Sequence, residues 1–164
     1  MSALSEEVLF SAAAIEQLQV WAQAAAPHET GGILLGVLAD GRRWVAAVRE
    51  IPSAHPERDR YQVPAGVTNG LVLEARRLDP RLGYLGDWHS HPADSGASGV
   101  DLATYLRLLR HALSRGETTP LLVVARRAVD GWQLDLTTAV PWPFRPRALA
   151  MTPTGQLSPP GNRP

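Results

Sequence analysis

The 164-residue sequence predicts a single α/β domain, a mixed central β-sheet flanked by helices. Three observations predict it. Segments with the apolar period of a helix alternate with short apolar runs, in the order βαββαβαββ. Two pairs of runs are joined by Asp-Gly turns, "ADGR" and "VDGW", the usual hairpin signal. The length suits one core and is short for two.

The elements follow in order. The stretch "VLFSAAAIEQLQVWAQAAAP" opens with a short strand and continues as a helix from Ser11 to Ala26. Ile15, Leu18, Ala22 and Ala25 keep the spacing of one buried face, and Pro27 stops the helix. "GGILLGVLAD" is short, continuous and apolar, as a central strand is. "WVAAVREIPSA" pairs with it as a hairpin. Ser53 to Pro64 is polar and bounded by proline, a surface loop or flap. "AGVTNGLVLEARRLDP" reads as a helix with Val67, Leu71, Val72, Ala75 and Leu78 inward. "RLGYLGDWHSH" is a strand. From Val100 to Arg115 a stripe of Leu102, Tyr105, Leu106, Leu109 and Leu113 marks a third helix. "TTPLLVVARR" and "GWQLDLTTAV" close the pattern as a hairpin. Residues 1–140 therefore form the domain. Residues 141–164 hold seven of the fourteen prolines and are expected to be an extended tail, disordered over its last dozen residues.

Composition excludes several classes of function. The formal net charge is zero, which leaves no electrostatic footprint for nucleic acid or an anionic membrane. No apolar run approaches the roughly 20 residues that span a bilayer. Acidic residues stand near the N-terminus where a signal peptide needs basic ones, so a cytoplasmic protein is expected. There is no cysteine, hence no disulfide, no thiolate nucleophile and no thiolate-bound metal. Every basic residue other than histidine is arginine, which fits a GC-rich genome.

The chemistry concentrates in "GDWHSHPADSGASGVDL". His89 and His91 are one residue apart at a strand end, so both imidazoles project from the same face. Asp101 falls in the first turn of the next helix. Two imidazoles and one carboxylate make a three-ligand zinc site with the fourth tetrahedral position left to water, which is the catalytic type. Taken alone, Ser98 and Asp101 also read as the N-cap and acidic first turn of a helix. The two histidines alone also read as ordinary strand residues. Glu29 in "PHETGGILLG" is the candidate general base, although its local sequence equally describes an exposed loop carboxylate.

Together, "ETGGILLG", "GDWHSHP" and "SGVDL" resemble the JAMM (MPN-plus, JAB-domain) metalloproteases, in particular their compact prokaryotic branch. The resemblance covers roughly Leu9 to Leu136. It implies a cytidine-deaminase-like α/β fold and zinc-dependent hydrolysis of peptide or isopeptide bonds. It implies one zinc ion on His89, His91 and Asp101, with Glu29 deprotonating the zinc water and passing that proton to the leaving amine. Ser98 would donate to the developing oxyanion, and Ser90 would give support at most. The loop from Ala93 to Ala97 is one residue shorter than the family pattern. The implied partner is a ubiquitin-like protein or its C-terminal tail, cut after the terminal glycine. Activating and conjugating enzymes of a bacterial ubiquitin-like system are further implied partners. An extended tail is expected to add to the sheet near Gly31 to Leu38, touching Gly31, Gly32, Ile33 and Leu34. A metal-free scaffold of the same fold and a zinc hydrolase of small amides are the alternative readings.

Overall fold

A computed structural model describes residues 7–55, 61, 63–64, 66–93, 99–140 and 145–155. The elements are β1 (Glu7–Ser11), α1 (Ala12–Ala25), β2 (Gly31–Ala39), β3 (Arg42–Glu50), α2 (Val67–Leu78), β4 (Gly83–His91), α3 (Gly99–Ser114), β5 (Leu121–Ala128), β6 (Gly131–Val140), β7 (Arg145–Ala148) and β8 (Ala150–Thr154). The strands form one eight-stranded mixed sheet in the order β7-β6-β5-β4-β2-β3-β1-β8. The expected α/β class and element order hold through β6.

Both predicted hairpins form. In the first, Asp40 and Gly41 take φ values of 51° and 72°, the left-handed pair that a tight two-residue turn needs. The turn aligns Ala39 with Arg42. In the second, Ala128 aligns with Gly131. β4 and β5 are parallel, so α3 is the crossover between them.

The helices cover both faces. On one face, α1 buries Ala14, Leu18 and Ala22, a spacing of four that keeps one stripe against the sheet. Leu18 packs with Phe10, Leu34, Val45, Trp88 and Val123, and Trp21 stacks on Trp88 at 5.9 Å between ring centroids. On the other face, α2 lays Val72 and Ala75 over Ile33, Leu35 and Ile51. α3 lays Tyr105 and Leu109 over Leu122 and Val124. The residues of β5 thus alternate between the two layers, as the strand period requires.

Three expectations need correction. Val67 and Leu78 do not face inward; they are 38% and 79% exposed. They are the first and last residues of α2, and only the middle of this helix meets the sheet. The sheet also continues beyond residue 140. β7 pairs antiparallel with β6, and β8 pairs parallel with β1. These segments contain Pro146 and Pro153, which an edge strand tolerates because one side of it makes no ladder bonds. Thirdly, β2 is the central strand that its apolar run implies, lying between β3 and β4, so a substrate tail cannot add along it as expected.

The two glycines that open β2 are packing devices. A Cβ on Gly32 would collide with the backbone carbonyl of Arg49 on β3. Gly32→Ala is therefore expected to destabilise the fold by roughly 1–3 kcal/mol, as overpacking does. Thermal unfolding should show a Tm lower by about 2–4 °C per kcal/mol. A variant melting with the parent would mean that β3 can yield.

Candidate metal centre

The pairing of β2 with β4 builds half of the site. Gly31 aligns with His89 in the antiparallel register. The next step outward pairs Thr30 with Ser90: the Ser90 N–H donates to the Thr30 carbonyl at 2.7 Å, and the Thr30 N–H donates to Ser90 Oγ at 3.0 Å. Glu29, one residue further out, stands beside the end of β4, with its Oε1 3.9 Å from His91 Nε2. The support expected of Ser90 is thus specific. Fully buried, it ties the end of the Glu29 loop to β4. Thr30 adds a bond from its hydroxyl to Glu50 Oε1 at 2.7 Å.

α3 supplies the rest. Its first turn carries Asp101, and the crossover from β4 to β5 brings that turn over the end of β4. His89 Nε2 lies 3.3 Å from Asp101 Oδ1, and His91 Nε2 lies 3.4 Å from Asp101 Oδ2. The two Nε2 atoms are 3.1 Å apart. Glu29 Oε1 stands 3.9 Å from His91 Nε2. Both histidines are buried, and Glu29 and Asp101 are half-buried. The structure therefore brings together His89, His91, Asp101 and Glu29, from three separate elements. Ser98 lies outside the described residues.

The donor set fits a small divalent ion. His89, His91 and Asp101 each offer one ligand atom, all within 4.8 Å of one another. Donors about 2.0–2.2 Å from a tetrahedral zinc stand roughly 3.3–3.6 Å from each other. The two Nε2 atoms, at 3.1 Å, are slightly closer than that, and each lies at about that spacing, 3.3 and 3.4 Å, from a different oxygen of Asp101. Glu29 is outside this group and beside it.

Two features escaped the sequence reading. Tyr61, in the segment expected to be a surface loop or flap, donates its backbone N–H to Glu29 Oε2 at 2.7 Å. Its hydroxyl donates to the Ile51 carbonyl at 2.6 Å. A lone aromatic in the polar run "ERDRYQ" was the only available signal. The second is Asp87, which receives the Tyr84 hydroxyl at 2.9 Å. Burial raises its carboxyl to about 6, against the lowering effects of that bond and of His89.

Gly31, Gly32, Ile33 and Leu34 are all buried. They do not offer a surface to a substrate, because β3 and β4 take both of their backbone edges. Their place is structural, beneath the site.

The family of prokaryotic homologues of the JAB domain matches residues 11–135. The chain belongs to that family. Within this JAB-domain chain, the matched span starts at the end of β1 and runs into β6. It includes Glu29, His89, His91, Ser98 and Asp101. Among similar proteins, a CD-NTase/cGAS isopeptidase of Pseudomonas aeruginosa (strain BWHPSA011 / Pa011) is 29% identical over 120 residues, 70% of this chain and 73% of that protein. A protein of Desulfitobacterium hafniense solved in solution has the same fold at 15% identity, with a TM-score of 0.66 over 91% of this chain and 94% of the other. Among the described residues no helix is long and apolar enough to cross a membrane.

Proposed function

We propose that this JAB-domain protein is a zinc-dependent isopeptidase or peptidase. It cuts the bond after the C-terminal glycine of a ubiquitin-like protein, in a conjugate or a precursor. The observation that carries this reading is the Glu29 carboxylate beside the His89–His91–Asp101 group, with Oε1 at 3.9 Å from His91 Nε2. The isopeptidase name of the Pseudomonas relative supports the bond class.

His89, His91 and Asp101 would hold one ion, which when bound supplies Lewis-acid polarisation of a carbonyl and acidifies water. The protein's own groups do the rest. Glu29 Oε1 accepts a proton from the attacking water and returns it to the leaving amine. Its other oxygen is occupied by the Tyr61 N–H, so the carboxylate keeps a set direction while it exchanges protons. Ser98 would donate a hydrogen bond to the developing oxyanion. The buried walls around both histidines exclude bulk water and strengthen each of these interactions.

The substrate tail approaches over the sheet face, since β2 offers no edge. A cleft of about 930 Å³ lies between α2 and α3 over β4, with Asn69, Tyr84, Asp87 and Leu108 among its lining residues. Asp87 and His89 are two residues apart on one strand, about 7 Å. Glu29, His89, His91 and Asp101 are not among the cleft's lining residues, and Asp87 is the lining residue nearest to them along β4; we propose the cleft as the approach of the tail. Asn69 is exposed at its wall. Asn69→Trp is expected to raise KM for a tail-bearing substrate about fivefold or more with kcat little changed, because it narrows the approach and leaves the chemistry alone. Unchanged KM in steady-state kinetics would place the tail elsewhere.

The function is tested with zinc-loaded protein and a ubiquitin-like protein carrying a C-terminal extension or an isopeptide-linked lysine. Mass spectrometry should find a product ending in the terminal glycine. Uncleaved conjugates together with rapid hydrolysis of small amides would favour a small-amide hydrolase. No hydrolysis of either, with no zinc retained, would favour a scaffold.

A further inference from the structure

The contacts of Tyr61 point to a role that the ligand group does not require. The ring lies where a side chain on residue 31 would be: a Cβ built on Gly31 collides with Tyr61 Cδ1 and Cε1 and with the Trp88 carbonyl. The hydroxyl is anchored on the Ile51 carbonyl just past β3. Ile51 is itself tied to β2, its N–H donating to the Gly31 carbonyl at 2.8 Å. The residue is 9% exposed. Ring and hydroxyl are thus seated in the rigid sheet, and that seat fixes where the backbone N–H of the same residue points. It points at Glu29 Oε2.

We propose that Tyr61 is a positioning residue for the general base: its side chain is a plug in the space left by Gly31, and the plug holds a backbone N–H on one oxygen of Glu29. The other oxygen, Oε1, is thereby turned toward His91. A carboxylate on a loop samples several rotamers, and freezing the productive one removes an entropic and geometric cost from the proton transfer. A backbone donor suits this task because it does not titrate. A side chain at the first glycine of "ETGG" would take the seat of the ring and would also meet the Trp88 carbonyl. The loop that carries Tyr61 also borders the cleft through Val63 and Pro64, so a substrate pressing on that loop bears on the base. The proposal rests on Glu29 being the base of the reading above.

Two measurements on the full chain test it, one independent of activity. Amide hydrogen exchange at Tyr61 should be slow in the parent protein, and in Glu29→Ala it should be at least tenfold faster. Tyr61→Ala should lower kcat about tenfold or more on a short glycine-ended peptide, with KM and zinc content unchanged. Tyr61→Phe keeps the ring and should restore kcat to within about threefold. Thermal melts identify any variant that has lost its fold, and Tyr61→Leu then replaces Tyr61→Ala. Fast exchange at Tyr61 in the parent, or exchange indifferent to Glu29→Ala, overturns the clamp. So does a Tyr61→Ala kcat equal to the parent's. If the parent cleaves nothing, the functional reading fails, and the exchange measurement alone decides whether Tyr61 holds Glu29.

Discussion

Glu29→Gln is expected to lower kcat by about 10²–10⁴-fold, the range that a positioned general acid–base contributes, while the protein still binds its metal. The amide is nearly isosteric with the carboxylate and still offers an oxygen to the Tyr61 N–H, so the loop stays in place. What it loses is the ability to take a proton. Glu29 stands beside the group formed by His89, His91 and Asp101 rather than within it. Zinc stoichiometry should therefore be unchanged, and KM should move little. Single-turnover cleavage with parallel metal analysis separates the two effects. If Glu29→Gln retains activity within a few-fold, another group is the base and the proposed mechanism fails. If the metal is lost along with activity, Glu29 is a ligand.

That prediction joins residues some sixty positions apart in the sequence. Periodicity is a local signal. It marked α1 through Leu18 and Ala22, α3 through Tyr105 and Leu109, and the two histidines on one face of β4. Each depends only on the 3.6- or 2-residue repeat of its own element. Pairing order is not local. The continuous apolar run of "GGILLGVLA" marks a strand with neighbours on both sides, but not which strands they are; the expected addition of a tail there is excluded because β3 and β4 take both edges. β7 and β8 were hidden for a different reason: their prolines mask a strand pattern, and the sheet edge tolerates them. Tyr61 was hidden because its contribution to the site comes from its backbone, which every residue has. Its identity matters only through a seat created by a missing side chain at Gly31.

The second large effect is expected at the ligands. His89→Ala or His91→Ala should abolish zinc retention and turnover together, a paired loss that distinguishes them from Glu29→Gln. Either change leaves two donors of three. Substitutions that merely support a ligand cost about 10–100-fold in metal affinity or activity, and loss of a ligand should exceed that. Linkage supplies a readout free of any substrate. Metal that binds only the folded chain stabilises it by RT ln(1 + [L]/Kd), about 2.7 kcal/mol at a hundredfold excess over Kd. Added zinc should therefore raise the Tm of chelator-stripped parent protein and leave that of His89→Ala or His91→Ala where it was. Asp101→Asn is the finer probe. The amide keeps the size of the side chain but replaces one oxygen with a donor, so the contacts at 3.3 and 3.4 Å to the two Nε2 atoms cannot both remain acceptor contacts. It should weaken zinc binding while the helix start survives. A parent protein whose Tm ignores zinc would exclude the metal centre. A zinc response that persists in both histidine variants would place the ion somewhere other than between β4 and α3.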